Sequence, residues 1–450
     1  MRILIKDIVN KESESAELMG WVSVRRDHGK IIFIDLRDRS GAAQVVFTPA
    51  DKKVYDLAQQ LRSEWAIAIK GKINRRPKGM ENPKLETGEF EILAEELIVL
   101  AQSEELPFDL DSEIALETFL DWQPLVLRTE KNRNIFRIQA EIVWAFREFL
   151  KNKGFTEIQI PKIVAQATEG GANVFKLDYF ERSAYLAQSP QFYKQIMVGV
   201  FERVFTVGNV YRAEEHSTTR HLNEYTSLDF ETGFINNHAD IMTLENEMLI
   251  YIVNHLSKNC AKEFEFFGLK SPKISEAIPS LKLVDAQKIL KEKYGIDCLG
   301  EPDLDPQGER KICEYAKENF DSDFIFITHY PAEKRPFYTH PDPAEPSLTR
   351  SFDLLFRGVE ISTGGQRIHN YSMLVESIEK RGLNPENFSF YLQAFKYGMP
   401  PEGGAGIGLE RLTQKFLNLE NIREATLFPR DLHRIDILLS SIKNEKIKNE

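Results

Sequence analysis

The sequence predicts an α+β chain in two parts: a small all-β module and a larger body of helices and sheet. Three observations carry this. Short β-branched and aromatic runs broken by turn residues crowd the first hundred positions. Long helical spacing of apolar residues appears only beyond residue 130. At 450 residues the chain is also too long for one compact core. The expected division is 1–102 for the β module, 103–130 for a linker or hinge, and 131–450 for the larger domain.

In the first part, Glu17-Leu-Met-Gly-Trp-Val-Ser-Val, Ile31-Ile-Phe-Ile-Asp-Leu-Arg and Ala43-Gln-Val-Val-Phe read as three strands. Trp65-Ala-Ile-Ala-Ile-Lys and Glu89-Phe-Glu-Ile-Leu supply two more, with a helical stretch from Lys53 to Leu61 before the fourth. Five strands with a helix after the third describe a small OB-type barrel, a fold that binds single-stranded nucleic acid on one face. Arg25, Arg26, Lys30, Arg37 and Arg39 fall on or beside its first strands. Phe33 and Trp21 each offer a stacking surface or fill the barrel core, core being the commoner role of a lone tryptophan.

Residues 103–130 show no period and contain prolines, as a linker would. From Asn132 to Lys153 apolar residues at 135, 138, 142, 146, 149 and 150 give a helix stopped by Gly154. A strand, Glu157-Ile-Gln-Ile, then ends at Pro161. Ser441 to Glu450 alternate charge and are expected to fray.

Hydrophobic residues at 42% and charged residues at 28% exclude a disordered or fibrous chain. No run approaches the length of a membrane helix, and the charged N-terminus is unlike a signal peptide. Cys260, Cys298 and Cys313 are too far apart for a CxxC pair, which fits a reducing, cytoplasmic setting. The net charge of −11 argues against a nucleic-acid partner, yet residues 21–80 hold 13 Lys+Arg against 6 Asp+Glu. A basic module on an acidic body can hold a polyanion on one face.

Three constellations carry candidate chemistry. Two strand-like runs, Arg203–Ala213 and Tyr225–Glu231, flank a charged loop longer than a hairpin needs. Arg212 closes the first run with a guanidinium suited to forking onto phosphate or carboxylate, and Glu214, Glu215, Arg220 and His221 crowd the loop. In Phe352-Asp-Leu-Leu-Phe-Arg-Gly-Val-Glu-Ile-Ser-Thr-Gly-Gly-Gln-Arg, Glu360 lies inside an apolar strand, where a carboxylate needs compensation. Magnesium, or an ion pair with Arg367, would supply it. Strict alternation places Asp353 and Glu360 on opposite faces unless the chain turns at Arg357-Gly358, so Asp353 is the weaker metal candidate. In Gly403-Gly-Ala-Gly-Ile-Gly-Leu-Glu-Arg-Leu, glycines 404, 406 and 408 leave one side of a strand bare for a flat ring. Arg411 then falls in the first turn of a helix, Leu409 to Phe416, where a cation opposes the dipole. Neither GxGxxG nor GxxxxGK[ST] occurs.

These constellations resemble the class II aminoacyl-tRNA synthetases, and among them the aspartate-specific members. The segment of about 132–161 resembles motif 1, about 203–231 motif 2, and about 403–416, with Gly406-Ile-Gly-Leu-Glu-Arg411, motif 3. The likeness runs from about residue 15 to Arg434 and includes Phe428-Pro-Arg-Asp. It implies an OB-type anticodon-binding domain and an antiparallel-sheet catalytic domain flanked by helices. The large bacterial insertion is missing, so the catalytic part is similar to archaeal and eukaryotic members. The segment from Gly20 to Phe33 looks more bacterial.

The resemblance implies activation of L-aspartate with ATP and transfer to the 3′ end of tRNA(Asp), with tRNA(Asn) open as a second acceptor. An asparagine-specific enzyme on the same fold and a non-catalytic tRNA-binding relative are the alternatives. Gln188-Ser-Pro-Gln-Phe-Tyr-Lys is similar to the aspartate-specific form, and an aspartate side chain needs cations, here Lys194 and Arg367. By the same resemblance, Glu169 grips the α-ammonium with Gln191 nearby, and Arg212 bridges the substrate carboxylate and α-phosphate. Ala213, Glu214, His221, Leu222, Gly408, Leu409 and Glu410 frame ATP, with Arg220 on its outer phosphates. Glu360 and Thr363 hold Mg2+, Glu360 also facing ATP and Thr363 the aspartate, and Arg411 clamps the nucleotide, which makes Arg212, Glu360 and Arg411 the catalytic set. Arg25, Arg26, Lys30 and Phe33 are the candidate tRNA contacts. A homodimer through the motif 1 helix is also implied.

Overall fold

The computed structural model describes residues 2–110, 112–166, 173–215 and 218–435. The expected frayed tail, Ser441 to Glu450, and the candidate Glu169 lie outside them. The chain forms two compact units, Met1–Glu113 and Ile114–Glu450.

The first unit is a closed barrel of β1 (Ser15–His28), β2 (Ile31–Asp38), β3 (Gly41–Phe47), β4 (Ala66–Arg75) and β5 (Phe90–Ala101), in the order β1-β2-β3-β5-β4. Alternation builds it: Ile32, Ile34 and Leu36 of β2 are buried, while Phe33, Asp35 and Arg37 face outward. Helix α1 (Lys52–Ala58), capped by the Asp51 carboxylate on the Val54 N–H, lies between β3 and β4.

The segment 103–130 differs from a plain linker. It contains α2 (Leu116–Asp121) and α3 (Gln123–Val126), and the division between units falls inside it, after Glu113. Phe119 and Val126 are buried, but helices of six and four residues are too short to display a helical period in sequence. Helix α4 (Glu130–Asn152) follows, with Thr129 accepting from the Asn132 N–H at 3.4 Å as its cap.

An eight-stranded sheet forms the second unit. Its strands are β6 (Thr156–Glu157), β10 (Arg203–Tyr211), β11 (Glu224–Gly233), β12 (Ser280–Lys282), β13 (Phe324–Thr328), β14 (Ser351–Phe356), β15 (Val359–Gln366) and β16 (Glu402–Gly408), ordered β12-β13-β14-β15-β16-β11-β10-β6. The six inner strands are antiparallel; only the edge pairs β12–β13 and β10–β6 are parallel. A small separate sheet holds β7 (Ile163–Val164), β8 (Lys176–Tyr179) and β9 (Arg182–Leu186).

Helices α5 (Gln191–Phe201), α6 (His238–Asn259), α7 (Ala261–Phe266), α8 (Leu283–Tyr294), α9 (Pro306–Phe320), α10 (Tyr371–Lys380), α11 (Ser389–Lys396) and α12 (Leu409–Phe416) surround the large sheet. On one face Phe205, Leu228, Phe230, Phe352, Leu354, Ile361 and Ile407 join α4 and α6 in the main core. Residues of opposite parity, Asp229, Glu231 and Asp353, project from the other face, where an irregularity in β15 also places Glu360 and Thr363. Period-2 alternation thus separates a dry core from a row of polar groups.

Candidate active site

The polar face floors a cleft of about 520 Å³. Of the residues singled out in the sequence, Gln191, Lys194, Arg212, Glu214, Arg220, His221, Leu222, Asp353, Glu360, Thr363, Arg367, Gly408, Glu410 and Arg411 line it. Ala213 and Leu409 do not: the Ala213 N–H is bonded to the Asn173 carbonyl, and Leu409 is packed in the main core. Glu169 lies outside the described residues.

One end of the cleft is a buried charge network. Lys194, on α5 and 1% exposed, sends Nζ to Asp229 Oδ1 and Glu231 Oε2, both at 3.0 Å, and to the Ala405 carbonyl at 3.3 Å. Arg367, just past β15, places Nε 2.8 Å from Glu231 Oε1 and donates to the Gly404 carbonyl at 3.0 Å. Ser227 donates to Asp229 from below. Burial works to raise the Glu231 carboxyl, but Arg367 and Lys194 outweigh it and hold the group below the usual carboxylate range. The two cations are therefore already balanced by two anions, so cation number alone does not distinguish an acid from an amide substrate.

The glycine run has a different use from the one its sequence implies. Gly404 stands opposite Glu231 and Gly406 opposite Asp229. A Cβ on Gly404 would lie 2.1 Å from the Phe230 carbonyl oxygen and 2.4 Å from Glu231 Oε2; one on Gly406 would meet Asp229 Oδ1 at 2.8 Å. The bare positions 404 and 406 therefore hold carboxylates. Only Gly408, where the nearest atom to a Cβ is Arg411 Cβ at 3.8 Å, leaves room beside the cleft.

At the other end are Glu360, Thr363, Asp353 and Arg411. Glu360 and Thr363 are three apart and would fall on opposite faces of a regular strand. A register shift opposite Leu354 and Leu355 inserts Ile361 as an extra residue, turning Ile361 and Ser362 both toward α6 and Glu360 and Thr363 both toward the cleft. Thr363 Oγ1 then donates to Glu360 Oε1 at 2.8 Å. Arg411 donates to the Glu360 carbonyl at 3.0 Å and lies 3.7 Å from Oε2. Burial pushes Glu360 up, while Arg411, Thr363, Arg335 and Arg212 push it down further, leaving it ionised. The turn at Arg357-Gly358 joins β14 to β15, and Asp353 pairs directly with Thr363, so it shares the face with Glu360 after all. Arg335 holds Asp353 Oδ2 at 2.7 Å, and burial with the nearby Glu360 charge pushes this carboxyl up to about 6. Asp353 Oδ1 is buried with no hydrogen-bond partner among the described residues.

The loop between β10 and β11 forms the rim. Asn223 Nδ2 pins it, donating to the Arg212 and Glu214 carbonyls at 2.7 and 3.2 Å. The Arg212 guanidinium lies 5.8 Å from the Tyr225 ring. His221 bonds to Thr218 Oγ1 at 2.7 Å and sits 3.5 Å from Glu214 Oε2. Arg220 is ion-paired to Glu309 of α9. Both Glu410 oxygens accept the Thr226 N–H at 3.0 Å, which ties α12 to β11.

Sequence reading missed Asp229, Glu231, Arg335 and Glu309. Asp229 and Glu231 carried a signal: like Glu360, each is a carboxylate inside an apolar strand. Arg335 and Glu309 lie in segments with no distinctive pattern.

In the barrel, Arg26 pairs across to Phe33 on the outer face and makes a double contact with Asp35 at 2.9 and 2.8 Å. Lys30 is exposed in the β1–β2 turn. Arg25 pairs with buried Ile34 and so faces away from these two, reaching Asp27 at 2.6 Å. Trp21 is not core: it is 40% exposed on the outer face, with the Arg37 guanidinium 5.4 Å from its ring.

Residues 16–100 match the OB-fold nucleic acid binding domain, and residues 115–432 match the tRNA synthetases class II (D, K and N). The chain is 45% identical over 443 residues to an aspartate--tRNA(Asp/Asn) ligase of Deinococcus radiodurans, covering 96% of this chain and 98% of that one. It is 43% identical over 432 residues to an aspartate--tRNA(Asp) ligase of Pyrococcus abyssi, covering 94% and 96%. The crystal structure of asparaginyl-tRNA synthetase from Pyrococcus horikoshii complexed with asparaginyl-adenylate superposes with a TM-score of 0.89 at 30% identity, covering 97% and 99%. The chain belongs to the class II tRNA synthetases.

Proposed function

We propose that this chain is an aspartate--tRNA ligase: it activates L-aspartate with ATP to aspartyl-adenylate and transfers the aspartyl group to tRNA. The observation that carries this reading is a single cleft that joins the buried Lys194–Arg367 network at one end to Arg212, Glu360 and Arg411 at the other. The relatives named as aspartate ligases, at higher identity than the asparaginyl structure, support aspartate over asparagine.

In this reading the aspartate side chain meets Lys194 and Arg367. The buried Gln191 Nε2, which has no hydrogen-bond partner among the described residues, is a donor left for the substrate. Glu169 is kept as the proposed partner of the α-ammonium. Arg212 holds the reacting carboxylate beside the α-phosphate, and the carboxylate attacks phosphorus in line, releasing pyrophosphate. The terminal ribose 3′-hydroxyl of the tRNA then takes the acyl group. No protein nucleophile is needed, so catalysis is positioning plus charge stabilisation by Arg212 and Arg411. His221, Glu214, Leu222 and Gly408 frame the nucleotide. Arg220 exchanges its Glu309 partner for the outer phosphates.

Glu360, Thr363 and Asp353 suit Mg2+. They offer hard oxygen donors, one of them the unpartnered Asp353 Oδ1, and magnesium needs only one or two carboxylates when phosphates and water complete its shell. Bound there, the ion would neutralise charge on the phosphates. Among the described residues no group of three or more His, Cys, Asp or Glu forms a metal cage.

On the barrel, Arg26 and Phe33 of the outer face, with Lys30 beside them, are the proposed tRNA contacts; Arg25, turned away, is the weakest. A homodimer through α4 is part of the same proposal, Trp144 on that helix being 61% exposed. So is a cytoplasmic setting, which rests on the cysteine spacing. Relatives named for tRNA(Asp) alone and for tRNA(Asp/Asn) leave tRNA(Asn) as a second acceptor. Charging purified tRNA(Asp) and tRNA(Asn) with labelled aspartate tests the function: label on tRNA(Asp) is expected, label on both marks dual specificity, and label on neither would overturn the proposal.

A further inference from the structure

We infer that Glu402 is a positioning residue of the amino-acid pocket: a buried carboxyl that carries its proton on Oε2 and thereby keeps the Lys194–Arg367 pair able to receive an anionic side chain. This deepens the aspartate reading above and rests on it.

Glu402 opens β16 opposite Gly233 of β11. Side chains two residues apart on a strand share a face, so Glu402 lies diagonal to Glu231, and both are 0% exposed. The charged and titratable groups facing Glu402 come from four elements. Strand β11 supplies Glu231, α5 supplies Lys194, the end of β15 supplies Arg367, and α11 supplies Tyr391. The cations are taken up by Glu231, which receives Arg367 at 2.8 Å and Lys194 at 3.0 Å. Glu402 receives a neutral donor instead. Gln195 Nε2 donates to its Oε1 at 2.6 Å, and Gln195 Oε1 accepts the Tyr391 hydroxyl at 3.0 Å. Glu402 Oε2 is buried with no hydrogen-bond partner among the described residues.

Two carboxyls side by side in a dry site do not both ionise; the one with the ion pairs keeps the charge and the other keeps the proton. Burial and the Glu231 charge push Glu402 up to about 8, whereas Glu231 is held low. Burial pushes the Tyr391 hydroxyl well above its ordinary range, so it does not titrate in this window. With Glu402 neutral, Lys194 and Arg367 are balanced by Asp229 and Glu231. Ionising Glu402 adds one uncompensated negative charge beside Glu231, behind the cleft wall that Lys194 and Arg367 form, and so weakens the pull of that pair on an aspartate carboxylate.

The test measures kcat and KM for aspartate in ATP–pyrophosphate exchange from pH 6.5 to 9, on the full chain and on Glu402→Gln, with aspartate counted as its ammonium form. If the ionised form does not bind aspartate, one pH unit above the transition leaves about one molecule in eleven competent. The wild-type KM should therefore rise about tenfold toward pH 9 with kcat little changed. Glu402→Gln, which keeps shape and the Gln195 contact, should have a flat KM within about threefold of the wild-type value at pH 7. A flat wild-type profile, or the same alkaline rise in Glu402→Gln, would overturn the inference. Lys194→Met separates the two levels: aspartate binding that survives it removes the pocket assignment itself, while loss of binding with a flat wild-type KM profile removes only the role of Glu402.

Discussion

Replacing Lys194 with methionine isolates the feature on which aspartate recognition depends. Methionine keeps most of the apolar stem and removes the ammonium, which contacts Asp229, Glu231 and the Ala405 carbonyl. Two consequences follow. Asp229 loses its cation and Glu231 keeps only Arg367, so the folded state loses about 3–5 kcal/mol, the usual cost of breaking a buried ion pair from one side. Aspartate loses one charge-assisted contact, worth about 1.5–3 kcal/mol, and enters a pocket that is now net negative; together these predict at least a hundredfold weaker binding. Urea denaturation reads the first effect and calorimetry with aspartate and then ATP reads the second, with ATP affinity unchanged. The double variant Lys194→Met/Asp229→Asn removes one stranded charge and should recover stability and only the part of the aspartate affinity lost to that charge, because the charge-assisted contact is still missing. Unaltered aspartate affinity in the folded single variant, or affinity fully restored by the second substitution, would refute the reasoning.

Three further outcomes are expected. Arg212→Ala should lower ATP–pyrophosphate exchange by at least about a hundredfold, since a donor to developing charge is worth about 3 kcal/mol; near-normal exchange would remove Arg212 from the mechanism. Phe33→Ala should raise KM for tRNA in charging and leave pyrophosphate exchange untouched, because a stacked base is worth about 1–3 kcal/mol and the barrel takes no part in adenylate formation. Glu245→Gln should stabilise the fold more at alkaline than at acid pH. Glu245 is buried under β15, accepts Ser362 Oγ at 2.5 Å, and is pushed up by burial to about 7. The folded state then binds more protons than the unfolded one, so stability present below pH 4.5 is lost as pH rises toward 7 and the loss is complete above it. A gain on the order of 3 kcal/mol at pH 8 and little gain at pH 4 are predicted from denaturation midpoints, and a pH-independent gain would contradict this.

Much of the fold was legible because it depends on local pattern. The barrel strands alternate cleanly, α4 repeats apolar residues with helical spacing, and the helix Leu409–Phe416 begins where the glycine run ends. What stayed hidden depends on partners distant in sequence. No local signal marks the extra residue at Ile361, since a bulge exists only relative to β14, yet it alone brings Glu360 and Thr363 onto one face. The pairing of Arg220 with Glu309 joins residues 89 apart. Trp21 is exposed because its register partner is Arg37 on the outer face, which composition cannot reveal. The glycines read as space for a ring are space for the Glu231 and Asp229 carboxylates, seen only when β16 is laid beside β11.

The most direct measurement is amino-acid-dependent ATP–pyrophosphate exchange by the purified chain with magnesium, offering aspartate and asparagine separately. The account predicts rapid exchange with aspartate and at least a hundredfold lower kcat/KM with asparagine. Equal or greater exchange with asparagine, or none with either, would contradict it.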